Sequence, residues 1–288
     1  MLPCSLSPLS HLQSLETLDL ASINVDQFQE LRAGVRNIRR LSFSVEDVIQ
    51  DYDFNIKDLF PKLEALTLVH AFVWETTPFI NALGTTSLRK LVKLSGGEAV
   101  NQKALRGMFS ALSPRFAATF TSIRITVDKL RPEPGVLMMH SLEPLLSLVE
   151  LRSLELYTRA EGGNRDLKLL NDDIRTMVLA WPNIEILVLL LQFTGLTTDS
   201  LFEIARHCRH LRELRLWRIR VVELDVDQLP QVSLPSLRIM QIHYHVRSSA
   251  STEHYGYTLS RLFPNVNAKR LLLAVAKLRS GTNRRYAG

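Results

Sequence analysis

Residues 181–189 read WPNIEILVL, and the phrase returns as CRHLRELRL at 208–216, LPSLRIMQI at 234–242 and FPKLEALTL at 60–68. Each contains a ladder of the form L-x-x-L-x-L. In the first it is Ile184, Leu187 and Leu189; in the others Leu211, Leu214 and Leu216, then Leu237, Met240 and Ile242, then Leu63, Leu66 and Leu68. Working outward, the ladder is found again at Leu15, Leu18 and Leu20, at Ile38, Leu41 and Phe43, at Phe120, Ile123 and Ile125, and at Leu151, Leu154 and Leu156. A strand alternates its side chains between two faces, so the last two apolar residues of each ladder share one face and the residues between them share the other. One such strand cannot bury its apolar side alone, whereas many stacked side by side share a continuous core. Repetition at a fixed phrase is the signature of a solenoid.

Between the ladders, apolar residues recur at helical spacing. Such stripes are Phe28, Leu31 and Val35; Phe79, Ile80 and Leu83; and Leu105, Met108, Phe109 and Leu112. Ile174, Met177, Val178 and Trp181 form another, as do Leu201, Ile204 and Ala205, then Leu259, Leu262 and Phe263. Pro61, Pro182, Pro235 and Pro264 punctuate the passage from helix to strand, since proline neither continues a helix nor donates to a strand ladder. The expected fold is therefore an α/β leucine-rich-repeat solenoid. It is a curved horseshoe with parallel strands on the concave side and helices on the convex side. Strands are expected at about residues 16–20, 39–43, 64–68, 122–126, 152–156, 185–189, 212–216 and 238–242.

The repeat length is uneven, from 23 residues between Leu18 and Leu41 to 33 between Leu154 and Leu187. The long repeats predict inserted loops at Lys129–Met139 and Thr158–Asp166, and insertions of this kind gather on one face or rim. Leu88 and Leu91 fit a further ladder, but Lys93 stands at its third apolar position with Leu94 following, which predicts a β-bulge. The domain reading is a ragged N-terminal cap over 1–14, the solenoid over 15–268, and a C-terminal cap with a basic tail over 269–288.

The repeat phrases resemble the leucine-rich repeats of fungal F-box-type proteins, related to the ribonuclease-inhibitor-like group. In that group an aromatic or cysteine, often with a proline, closes the helix before a leucine-rich strand. The resemblance spans residues 9 to about 270. It implies a ligand-binding horseshoe and, in the family, an N-terminal F-box that docks on a Skp-type adaptor of a ubiquitin ligase. Here only Leu2 and Pro3 match the opening of that module, and strand sequence begins by Leu15. The expectation is a horseshoe with the F-box itself missing, and an adaptor partner only if an F-box lies upstream.

Composition narrows the function further. The 288 residues are 46% hydrophobic, with a formal net charge of +6 spread through the repeats, so nucleic acid is not indicated. Cys4 and Cys208 make no disulfide framework and no C-x-x-C metal pair. The opening residues lack the basic and apolar regions of a signal peptide, and the apolar runs Ile186–Leu191 and Leu271–Ala276 are too short to span a bilayer. An intracellular setting, cytoplasmic or nuclear, is expected, without membrane partners.

Strand alternation names the concave face directly. The early strands offer small or polar residues such as Thr17, Asp19, Arg40, Ser42 and Thr67. The later ones offer Tyr157, Leu190, Trp217 and His243, with Arg215 among them. Tyr, Trp and Arg are the residue types enriched at binding hot spots, so these five are the candidate protein-binding patch. The alternative is that another part of the chain covers them.

Chemistry has less support. His243 and His245 leave one face of a strand at a chelating spacing, with His254 nearby in sequence, but no carboxylate or cysteine completes a set, and they read as surface histidines. Gly96-Gly97 and Gly162-Gly163 lack phosphate-loop spacing and read as turns. Asp172-Asp173 and Thr198-Asp199 each precede an apolar helical stripe and read as helix starts. No nucleophile elbow or zinc-binding helix is present, and no cofactor or metal is expected. The sequence therefore predicts a non-enzymatic protein-interaction module, possible in three forms: a ubiquitin-ligase substrate receptor, a scaffolding solenoid, or an RNA-binding solenoid.

Overall fold

The computed structural model describes residues 14–23, 36–45, 59–71, 73–94, 99–160, 168–191, 195–221, 233–247 and 259–266, together with Gln27, Glu30 and Leu31. The fold is α/β, with parallel strands separated by helices or turns. It divides into two compact units. One comprises the described residues up to Arg131 together with His140–Glu150; the other comprises Pro132–Met139 and the described residues from Leu151 onward.

In the first unit, strands β1 (Thr17–Ile23), β2 (Arg40–Val45) and β3 (Ala65–Val69) lead into helix α1 (Val73–Ala82). Strands β4 (Lys90–Leu94) and β5 (Ala99–Asn101), helix α2 (Gln102–Phe116) and strand β6 (Ser122–Arg131) follow. Helix α3 (Met138–Leu142) then runs into a 3-10 turn, Glu143–Ser147. The strands β1, β2, β3, β4 and β6 pair in that order, all parallel, with β5 on the far end of β6. Register sets the ladder leucines in a row: Leu18 opposite Leu41, Leu41 opposite Leu66, Leu66 opposite Leu91, and Leu91 opposite Ile123. All but Leu18 in that row are at most 2% exposed. Leu18 is only half-buried, because β1 has a partner strand on one side alone among the described residues.

The helices cover this apolar face. Phe43 of β2 meets Phe79 of α1 with ring centroids 5.7 Å apart and planes tilted by 60°. Helix α2 starts at Asn101, whose side chain accepts the Ala104 N–H at 2.7 Å, and buries Leu105, Met108, Phe109, Leu112 and Phe116. At the other end of α2, Arg115 donates to carbonyl oxygens of Asn81 and Leu83, giving the orphan acceptors at the end of α1 a cationic partner.

The second unit repeats the scheme with β7 (Ser153–Ala160), α4 (Asn171–Ala180), β8 (Ile186–Leu191), α5 (Thr198–His207), β9 (Glu213–Val221) and β10 (Ile239–Arg247). β7, β8, β9 and β10 are parallel neighbours in that order, and Leu154, Leu187 and Leu214 align and are at most 1% exposed. Met240 continues the row opposite Leu214 but is partly exposed.

The same turn recurs with the phrase that encodes it. Leu63 N–H donates to Phe60 O at 3.0 Å, Ile184 to Trp181 at 3.2 Å, Leu211 to Cys208 at 3.0 Å, Leu237 to Leu234 at 3.2 Å and Val266 to Phe263 at 3.0 Å. In four of these five turns the second residue is proline, whose fixed φ suits that position and whose missing N–H is not needed there. The aromatic or thiol before it is buried, with Trp181 at 1%, Cys208 at 0% and Phe263 at 0% exposure. At Trp181 and Cys208 the turn closes a helix (α4 and α5), plugs the core and leads into the next strand.

Two sequence expectations are corrected. Lys93 does not sit in a bulge: β4 keeps unbroken register, with Lys93 opposite Leu68 on one side and Ile125 on the other, and Lys93 is fully buried at the apolar ladder position. The inserted loop expected over Lys129–Met139 is shorter, because Lys129, Leu130 and Arg131 extend β6 by pairing with β5, and Met138 and Met139 begin α3. Of the second expected loop, Thr158, Arg159 and Ala160 belong to β7, and the remainder lies outside the described residues. Outside them too lie the N-terminal cap up to residue 13, the tail over 269–288, Phe28, Val35, both glycine pairs and His254. Among the described residues no helix is long and apolar enough to cross a membrane.

Candidate functional site

The face of β7–β10 that carries the residues between the ladder leucines is built in transverse rows. Register places Ser153, Ile186, Glu213 and Ile239 in one row and Glu155, Val188, Arg215 and Gln241 in the next. Tyr157 pairs with Leu190, and continuing the same register brings Trp217 and then His243 into line with them. Four of the five expected patch residues therefore share one row. Arg215, two positions before Trp217 on the same strand, stands in the adjacent row.

Tyr157, Leu190, Arg215 and Trp217 are all half-buried, while the alternating Leu156, Leu189 and Leu216 are fully buried on the opposite face. His243 lies within β10, and its side chain is outside the described residues. Polar groups in the patch are already engaged. Tyr157 Oη donates to Glu155 Oε2 at 2.9 Å, and Arg215 Nε lies 2.5 Å from Glu213 Oε1. Val188, which stands between the ladder leucines Leu187 and Leu189, is nevertheless only 1% exposed. It stands in register between Glu155 and Arg215. What remains accessible is an aromatic and aliphatic row, Tyr157, Leu190 and Trp217, flanked by Arg215 and by Ile239 at 47% exposure.

Behind the sheet, the acidic helix starts have structural roles. Thr197 caps α5 by accepting the Asp199 N–H at 3.2 Å, and Asp173 in the first turn of α4 accepts the Leu170 N–H at 2.7 Å. Burial raises the Asp173 carboxyl above its ordinary value, the hydrogen bond from Leu170 lowers it in part, and the charge of Asp172 adds to the rise. Burial also pushes the Cys208 thiol up to about 12, so it stays protonated and inert in its turn. Among the described residues no cluster of His, Cys, Asp and Glu could hold a metal ion.

A second surface feature was not singled out in the sequence. The open face of β1–β4 holds a groove of about 470 Å³ bordered by Arg40, Arg89 and Lys90. Its signal was present, since Arg40, Ala65 and Lys90 occupy equivalent ladder positions, but the bulge expected at Lys93 removed β4 from the alignment.

The parallel strands, the recurring turn and the aligned leucine rows define a leucine-rich-repeat, solenoid-like α/β protein. No protein-family model and no curated protein sequence matches the chain. Among solved structures, the crystal structure of a protein from Bacteroides fragilis is similar over 77% of this chain and 73% of that one, with 13% identity and a TM-score of 0.32. A likeness of that degree carries no argument, and the fold class rests on the register described above.

Proposed function

We propose that the chain is a non-enzymatic protein-binding module that captures its partner on the open face of β7–β10. The observation that carries this reading is the accessible row of Tyr157, Leu190 and Trp217 beside Arg215. Aromatic and arginine side chains held on a sheet provide contact area at little entropic cost, because the strands fix their positions before binding. Beside the row, Tyr157 Oη donates to Glu155 Oε2 and Arg215 lies within ion-pair distance of Glu213, so both side chains are held in place before a partner arrives.

In its most specific form, this module is the substrate-recognition part of an intracellular F-box-type ubiquitin-ligase receptor. That form draws on the likeness of the repeat phrases to fungal F-box proteins. The test has two arms. Immobilised chain should retain a partner from lysate in a manner abolished by Trp217→Ala. The gene product with its native upstream sequence should co-purify with a Skp-type adaptor. Retention without the adaptor would leave a scaffolding solenoid, and retention indifferent to Trp217 would sink the open-face reading.

A further inference from the structure

The groove on the first unit has a chemistry of its own. Thr17, Arg40, Ala65 and Lys90 stand in register across β1–β4. Neighbouring strands lie roughly 4.8 Å apart, so the backbone positions of Arg40 and Lys90 are about 10 Å from each other, with only the methyl group of Ala65 between them. Ser42 and Thr67, both half-buried, add hydroxyl groups in the next row. Arg40, Arg89 and Lys90 are exposed, and none of the three has an ion-pair partner among the described residues. Glu64, the nearest carboxylate on β3's approach, is engaged by Arg39 at 2.9 Å, which leaves Asp19 as the acidic group opposing three cations. Cations ringing a concavity concentrate the field there and favour an anion from outside.

The spacing selects among anions. One phosphate or carboxylate would need its donors converging on a single point. Side chains rooted about 10 Å apart instead match two carboxylates carried on one extended chain. In a polyproline II segment, every third side chain returns to the same face after about 9 Å. Among the described residues no aromatic lines the groove, so they offer no stacking platform of the kind single-stranded nucleic acid uses.

We propose that the groove bordered by Arg40, Arg89 and Lys90 binds an extended acidic peptide that presents a carboxylate at every third residue. The probe is a fluorescein-labelled peptide of about four Glu-Pro-Pro repeats, read by fluorescence anisotropy. Saturable binding is expected, weakening at least tenfold between about 50 and about 300 mM NaCl as the charges are screened. The double variant Arg40→Glu with Lys90→Glu should lose at least tenfold more. Ala65→Glu, which sets a carboxylate between the two cations, should do the same and carries the test if the double variant fails to fold. Trp217→Ala should bind the peptide unchanged, so failure here and failure of the Tyr157–Trp217 reading are separable. No saturable binding, equal affinity in the variants, or tighter binding of an oligothymidylate of equal charge would each overturn the proposal.

Discussion

Asn171, the first residue of α4, holds Thr197, the residue that caps α5, through a reciprocal pair of hydrogen bonds. Thr197 N–H donates to Asn171 Oδ1 at 2.9 Å, and Asn171 Nδ2 donates to Thr197 Oγ1 at 2.8 Å. Ser200 Oγ adds a third bond to the same Oδ1 at 2.5 Å. One amide therefore ties together the starts of two helices in successive repeats. Thr197 is only 6% exposed, so water cannot readily replace a lost partner.

Asn171→Ala should destabilise the protein by about 1–3 kcal/mol, because it strands a buried donor as well as losing a cap contact. Urea denaturation followed by circular dichroism measures this. A loss under about 0.5 kcal/mol would mean that the helix starts are not coupled through this amide.

The leucine rows allow a comparison within one unit. Leu66 is 0% exposed between Leu41 and Leu91, so Leu66→Ala should cost about 2–5 kcal/mol. Leu18, half-buried on β1, should cost about half as much or less when changed to Ala, since less area leaves the core and solvent fills the gap. Equal losses at the two positions would show that β1 is more enclosed than its exposure indicates.

Strand existence and register were legible because they depend on a period of two in leucine, isoleucine and phenylalanine, and the expected strands start within about one residue of those observed. Strand ends were not, since β6 and β9 continue past the ladder on pairing with elements far away in sequence, Ala99–Asn101 for β6 and Thr197 for β9. Lys93 misled for a physical reason: a lysine at an apolar position argues locally against burial, but neighbouring strands on both sides impose the register. Tyr157, Leu190 and Trp217 are half-buried on the face opposite the ladder leucines. Alternation could not foresee that Val188, between Glu155 and Arg215, would be buried, because lateral packing depends on strand order and not on spacing within a strand.

Asp173 makes stability depend on pH in a particular direction. Its folded-state pKa is raised above the ordinary 3.8, so the folded chain holds this proton more tightly than the unfolded chain does. Below 3.8 both states are protonated and the residue imposes no charge penalty; as pH rises through the folded-state pKa the penalty develops and then stays constant. The stability of Asp173→Asn relative to the parent should therefore increase over that interval. Thermal midpoints of both proteins from about pH 3 to about pH 7 test this, and a pH-independent difference would rule it out.

Trp217 decides the functional reading. It lies on β9 between Leu216, buried at 0% exposure, and Arg218, and its own half-buried side chain faces away from the ladder core. Removing the indole should therefore leave folding stability nearly unchanged, within about 1 kcal/mol, as for substitutions outside a packed core. If the row Tyr157–Leu190–Trp217 anchors a partner, the same change should weaken capture by about 2 kcal/mol or more, roughly 30-fold in Kd. Thermal unfolding and surface-based binding measured on the same preparation separate the two effects. Unfolding of Trp217→Ala would place the indole in the core, and unchanged affinity for a confirmed partner would move the binding surface elsewhere. Residues 132–137, which lie between β6 and α3, would then be the next positions to substitute, since they extend a repeat beyond its strand and helix.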